Sequence, residues 1–380
     1  MTLTDRVLEL AIQIQQIPAP TFSEGPRGEF VRDLFLKEKL KDVSMDSLGN
    51  VFARLPGKQK KAKELIVSAH LDTVFPPSIN LQVRKEAERV FAPGIGDNSL
   101  GVAALFGILW SLRERDVMLT HDVWFVANVG EEGLGDLRGM RGVVERFGAD
   151  VLGYLVLEGL ALGHVYHKAI GVKRYRIMAK TAGGHSWSDY GQPSAVHELA
   201  SLVTQLTAFR LPREPRTTMN VGTISGGTGI NVLAAEAKCE LDLRSEDPKA
   251  LTKLVHQVED LLINASREGV KITAEVIGER PAGEISVEHP FVQLAVDCTH
   301  EQGLDAILTA GSTDANIPLS ENIPAVVMGI TTGGGAHTVN EFIDVKPIEL
   351  GMNGVVRFVE RVGSRSKWEV KSEKWGILAI

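Results

Sequence analysis

Apolar positions recur at helical spacing across residues 4–16, placing Val7, Leu8, Leu10, Ala11 and Ile14 on one side, and Pro18 and Pro20 end this predicted helix. A second helix is predicted over 24–38. The period then shortens: runs at 51–55 and 65–69 read as strands flanking a lysine-rich, solvated loop at 57–63. The second of these strands delivers His70-Leu71-Asp72-Thr73-Val74. Residues 76–92 carry mixed signals and read as a loop with a hairpin. A Gly-rich turn at 93–99 follows, with Asn98 or Ser99 placed to cap a long helix through residue 112. The apolar run from Trp124 to Val129 reads as a buried strand and ends in Glu131-Glu132. A helix near 141–147 and a strand at 151–157, ending at Glu158, complete this half. Alternating strands and helices with apolar strand runs predict an α/β fold around a mainly parallel, buried sheet.

After about residue 169 the order changes. Strands are predicted at 172–180, 217–224, 236–244 and 270–277, with helices at 194–209 and 248–265. That βαββαβ order is the split arrangement of a ferredoxin-like unit. Pro281-Ala282-Gly283 reads as a return linker, followed by a helix at 290–302, strands at 305–309 and 323–329, and a closing helix at 347–362. The expected organisation is a discontinuous catalytic domain, 1–169 and 284–380, interrupted by an inserted domain at 170–283. Nothing in the pattern assigns a place to the tail at 364–380, with Trp368 and Trp375.

Composition narrows the function. A net charge of −7 leaves no basic footprint for nucleic acid, and no apolar run approaches the ~18 residues of a membrane span. Cys239 and Cys298 are too few for a disulfide framework and read as core residues of a cytoplasmic chain. Gly94-Ile95-Gly96 ahead of a helix lacks the glycine spacing of a dinucleotide site and would aim Asp97 at a pyrophosphate.

The chemistry-bearing residues sit at predicted strand ends and in Gly-rich turns: His70, Asp72, Asp97, Glu131, Glu132, Glu158 and His337. These are the donor types of a zinc site, and strand ends of an open α/β sheet are where sites form. Converging carboxylates repel by roughly 4 kcal/mol per close pair at an effective dielectric of 20, and two divalent cations balance them. Two such cations share a bridging carboxylate and lower the pKa of a shared water. Asp72, two residues beyond His70, is placed to accept the second imidazole N–H. Glu131 remains for proton transfer, since neighbours leaving a strand point to opposite sides.

In this order, His70-Leu71-Asp72-Thr73-Val74, Gly96-Asp97-Asn98, Glu131-Glu132-Gly133, Glu158-Gly159 and Gly335-Ala336-His337 resemble the di-zinc metallopeptidases of the peptidase T, carboxypeptidase G, aminoacylase and succinyl-diaminopimelate desuccinylase type. The resemblance spans roughly 17–358 and is nearest the peptidase T-like branch. It implies two Zn2+ ions, replaceable by Co2+ or Mn2+: Asp97 bridging, His70 and Glu158 on one ion, Glu132 and His337 on the other. It implies Glu131 as general base, a cis peptide at Asp97–Asn98, and His185 of Gly183-Gly184-His185-Ser186 as a lid histidine acting across a homodimer formed through the inserted domain. Asn231 and Arg244 resemble substrate-carboxylate contacts, and Ser312 and Thr313 belong to a further pocket-lining loop. The implied activity is cleavage of a peptide bond in short peptides, as in a tripeptidase. The alternatives are an N-acyl-amino-acid amidohydrolase and, more remotely, a non-catalytic binding protein on the same scaffold.

Overall fold

In a computed structural model, residues 1–59 and 62–364 are described. The tail from residue 365, with Trp368 and Trp375, and Lys60 and Lys61 of the solvated loop lie outside the described residues. The larger sheet is nine-stranded. Its middle is parallel: Val123–Asn128, Leu65–His70, Gly153–Glu158 and Ala325–Gly329 lie side by side in that order. These are the apolar runs of the sequence, and each is buried along almost its whole length because helices cover both faces. Leu100–Glu114 packs against the sheet and against the helices Leu3–Gln15 and Ile348–Ser364. Continuous with the turn before it, Ile95–Glu114 is long and apolar enough to cross a membrane, contrary to the expectation that no run approaches that length. Its window is 83% buried inside the fold, as in a core helix.

Two further strands carry little apolar signal. Lys41–Met45 is an edge strand without a buried residue, and His164–Ala169 joins Ala325–Gly329 antiparallel and Ile307–Gly311 parallel. Residues 76–92 do contain a short hairpin, Arg84–Lys85 with Arg89–Phe91. The long helix is not capped as expected. Ser99 makes no side-chain cap, and Asn98 instead reaches across to the Gly153–Glu158 strand, donating to the Leu157 carbonyl at 2.9 Å and accepting from the Gly159 N–H at 2.9 Å.

A second sheet, of four antiparallel strands, orders Thr217–Gly226, Glu236–Ser245, Gly171–Lys180 and Lys271–Arg280. Helices Ala195–Thr207 and Pro248–Ala265 cover one face and close a separate core around Tyr175, Leu199, Leu241 and Val258. The chain enters and leaves this unit at adjacent points, since Arg280 pairs in register with Val172. Asn316 donates to both crossing segments, at 2.8 Å to the Ile170 carbonyl and 2.9 Å to that of Pro281. Cys239 and Cys298 are buried, one in each core, with free thiols.

Candidate metal centre and active site

The parallel strands run in one direction, so their C-terminal ends deliver His70, Asn128 and Glu158 to one edge of the sheet. Asp97 arrives on the turn before the long helix. Gly159 makes this approach close: a Cβ there would lie 2.1 Å from the Gly96 carbonyl oxygen, so a larger residue would push the Glu158 and Asp97 segments apart. Gly130, at φ +67°, turns the chain between the Val123–Asn128 strand and Glu131. The Asp97–Asn98 peptide is cis.

Asp97 stands at the centre. Its Oδ1 lies 3.1 Å from His70 Nε2, and its Oδ2 lies 3.0 Å from His337 Nε2. His70 Nε2 also lies 3.7 Å from Glu158, and His337 Nε2 lies 3.1 Å from Glu132. Two donor groups therefore share one aspartate, His70–Asp97–Glu158 and Asp97–Glu132–His337, each with its ligand atoms within 4.8 Å of one another. Imidazole nitrogens and carboxylate oxygens at that spacing suit divalent cations, and the buried Glu132 Oε1 makes no aligned hydrogen bond among the described residues.

Burial and mutual charge shift every titratable group of the cluster. Burial pushes the carboxyls of Glu132 and Glu158 up to about 7. Burial works against charge on Asp97 too, yet the two imidazoles hold its pKa far below the ordinary carboxylate range. Asp97 and Glu132 lift His337 to about 10. Burial opposes the charge on His70, but Asp72, Asp97 and Glu158 outweigh it and hold its pKa well above the usual imidazole value.

Asp72 and Glu131 each have further partners beside the cluster. The His70 Nδ1 lies 3.1 Å from the main-chain carbonyl of Asp72 and 3.6 Å from its carboxylate, so the closer partner is the backbone. The Asp72 carboxylate instead accepts the N–H groups of Glu131 at 3.0 Å and Glu132 at 2.9 Å, and the Thr21 hydroxyl at 2.9 Å. Nor is Glu131 left unengaged: Arg280 Nη1 donates to its Oε1 at 3.0 Å, and Arg280 Nη2 donates to its main-chain carbonyl. Burial raises the Glu131 pKa, with Arg280 opposing that rise.

Two contributors, Arg280 and Glu341, lay beyond sequence reasoning, and a third, Asp314, lies in the pocket-lining loop of Ser312 and Thr313. Arg280 is one; its signal was a cation closing an alternating strand directly before Pro281. Glu341 is another: it is fully buried and accepts from the N–H groups of Gly94 at 2.9 Å, Gly96 at 2.7 Å and Asp97 at 2.8 Å. It thereby ties the Asp97 turn to the segment carrying His337, and burial pushes its own carboxyl up to about 7. Asp314 is the third, buried against Asn128 Nδ2 at 2.7 Å, its pKa raised well above normal by burial and by the charge of Glu131.

A cavity of about 480 Å³ opens over the cluster, lined also by Arg174, Arg244, Arg280, Ser312 and Thr313. Arg244 lines it while paired to Asp242 at 2.7 Å, an aspartate it shares with Arg174 at 2.9 Å. His185 and Asn231 do not line this cavity. His185 lies on a two-stranded ribbon, Gly184–His185 with Val232–Leu233, and the exposed Asn231 directly precedes its second strand, where the Ser186 N–H donates to the Asn231 carbonyl at 3.0 Å.

The description "Peptidase family M20/M25/M40" matches residues 66–361. A peptidase M20 domain-containing protein of Schizosaccharomyces pombe is 27% identical over 318 residues, covering 82% of this chain and 72% of that protein. Among solved structures, a Staphylococcus aureus tripeptidase superposes with a TM-score of 0.80 at 23% identity, covering 95% of this chain and 98% of its own. A Bacillus subtilis protein described as a dinuclear metal-binding peptidase of the M20 family superposes with a TM-score of 0.69 at 16% identity, over 95% and 98% of the two chains.

Proposed function

Because this chain belongs to peptidase family M20/M25/M40 and is a metal-dependent hydrolase of amide or peptide bonds, we propose that it cleaves short peptides as an aminopeptidase of the tripeptidase kind, with two zinc ions per chain. The observation that carries the two-metal reading is Asp97, whose two oxygens face two different histidines at 3.1 and 3.0 Å. We assign His70 and Glu158 to one ion, Glu132 and His337 to the other, and Asp97 to both. When bound, the pair supplies Lewis acidity to a carbonyl and lowers the pKa of a coordinated water.

The chain's own groups do the rest. Glu131, held at Oε1 by Arg280, takes a proton from the attacking water on its other oxygen and returns it to the leaving amine. Asp72 fixes the main chain of Glu131 and Glu132 together, so base and ligand keep a constant separation. Arg244, part-exposed in the cavity wall, offers its remaining N–H groups to a substrate carboxylate, with Ser312 and Thr313 beside it.

We assign 1–169 and 284–380 to the catalytic domain and 170–283 to an inserted dimerisation domain. His185 and Asn231 then serve the cavity of a second copy. Support comes from the exposed edge strand Thr217–Gly226 and from Trp187 and Tyr190, 86% and 90% exposed beside His185. A solution mass of one chain would remove that assignment. For the reaction, turnover should be compared across di- and tripeptides, N-acetyl amino acids and N-succinyl amino acids, using chain reconstituted with Zn2+. Fastest cleavage of tripeptides is expected; preference for N-acyl amino acids would replace the peptidase reading with a deacylase one.

A further inference from the structure

Arg280 is the last residue of the inserted sheet and 4% exposed, yet its guanidinium is spent on the catalytic domain. Nη1 reaches Glu131 Oε1 at 3.0 Å, the Ser312 carbonyl at 3.2 Å and the Ser312 hydroxyl at 3.3 Å, while Nη2 takes the Glu131 main-chain carbonyl. Nε is left without a partner among the described residues. One planar fork thus grips both the side chain and the backbone of a single glutamate.

The surrounding contacts show that this grip is part of a seam. The loop that follows Glu131 touches the inserted sheet repeatedly: Arg174 donates to the Gly133 carbonyl at 2.8 Å, and Asp136 accepts the Glu279 N–H at 2.8 Å. Arg141 donates to the Glu279 carbonyl at 2.5 Å. Arg174 also shares Asp242 with Arg244, so the arginine assigned to the substrate and the arginine touching the catalytic loop are joined through one carboxylate. A shift of the inserted sheet that keeps these bonds moves Glu131 with it, because Arg280 is covalently the end of that sheet.

We propose that Arg280 is a positioning residue: it fixes the rotamer of Glu131 and makes that rotamer depend on where the inserted domain sits. A glutamate side chain has three rotatable bonds and several accessible rotamers. Held at Oε1, it presents Oε2 in one direction. Substrate drawn to Arg244 pulls on the Asp242–Arg174 pair, and the seam carries that displacement to the base. The inference rests on the assignment of Glu131 as the base, and its test separates the two.

The experiment is a double-mutant cycle in the full-length, zinc-loaded protein, using the best-cleaved substrate of the panel above. Arg280→Ala is expected to lower kcat by about 10–100-fold with KM changed less than about threefold, as loss of an interaction made in the transition state requires. Zinc affinity by calorimetry should stay within about threefold, since Arg280 touches none of the assigned ligands' side chains. Guanidinium ion added at millimolar concentration should restore part of kcat. In a Glu131→Gln background, Arg280→Ala should change the residual rate by less than about twofold. An equal loss in both backgrounds would show that Arg280 acts independently of Glu131 and would overturn the proposal, as would a tenfold loss of zinc affinity. Near-normal activity of Glu131→Gln alone would instead sink the base assignment. If Arg280→Ala does not fold, Arg280→Lys supplies the same cycle: its single ammonium cannot hold side chain and backbone together, so kcat falls with KM held, and wild-type kcat in that variant overturns the proposal.

Discussion

His70 is 1% exposed at its side chain and His337 55% exposed, although their Nε2 atoms approach the two oxygens of the same aspartate. The inner group, His70 and Glu158, is carried on the ends of parallel strands whose register is fixed by the sheet, His70 opposite Asn128 and Glu158 opposite Gly329. The outer group, Glu132 and His337, is carried on loops. Glu132 is held by the Asp72 carboxylate, and His337 sits at a left-handed φ of +64° four residues before Glu341. The sheet places the inner group through many backbone bonds at once. The outer group depends on a few side-chain bonds between loops, so its geometry is the easier to lose.

The largest effect is expected at the residue belonging to neither group. Glu131→Gln should lower kcat by about 10²–10⁴-fold while both cations still bind, measured by single-turnover kinetics beside zinc analysis. If zinc is lost as well, Glu131 belongs to the outer group and the division between ligand and base fails.

The next contrast sets the groups against each other. His70→Ala should abolish the tighter of two zinc-binding steps seen by calorimetry, and His337→Ala the weaker. Each loss should exceed the roughly 10–100-fold that an outer-shell partner contributes. The reverse order would show that exposure and not backbone register sets affinity.

Smaller effects come from the supports. Asp72→Asn should weaken the outer step by roughly 10–100-fold and the inner one by less, because it loosens Glu132 while His70 keeps its closer partner, the Asp72 main-chain carbonyl. Glu341→Gln should weaken both, since it loosens Asp97. An inner step untouched by Glu341→Gln would mean the aspartate turn is held by its own backbone.

The mildest test is pH. Before any cation binds, His337 is raised to about 10 and Glu132 and Glu158 to about 7, so both groups retain protons that a cation must displace. Protons therefore leave on binding, and apparent zinc affinity should increase as pH rises from about 6 to about 8. Calorimetry at neutral pH in two buffers of different ionisation heat measures the release; identical heats would refute it.

The same contrast explains what was legible beforehand. The residues of the inner group each close an apolar run, so His70 and Glu158 announced themselves, and Asp97 lay in a turn rich in glycine. The inserted unit's strand and helix order was readable because its strands alternate in burial, as in Glu236–Ser245. His164–Ala169 was not, since its fully buried residues are Val165 and Ala169, four apart, a helical spacing. Lys41–Met45 has no buried face to reveal it. Arg280 and Glu341 act on partners 149 and 244–247 positions away, and no local pattern announces a bond of that span.

The position of Ala325–Gly329 in the larger sheet governs the order in which the protein can be made. That strand lies between Gly153–Glu158 and His164–Ala169, pairing with both, so the sheet has a gap at its middle until residue 329 has left the ribosome. The inserted sheet is complete at Arg280 and has its own core, so it can fold while the larger one still waits. His337 emerges later still. A nascent chain therefore carries His70, Asp97 and Glu158 well before His337, and on the proposed assignment full metal loading becomes one of the last events of synthesis, after the rest of the cleft has been walled in.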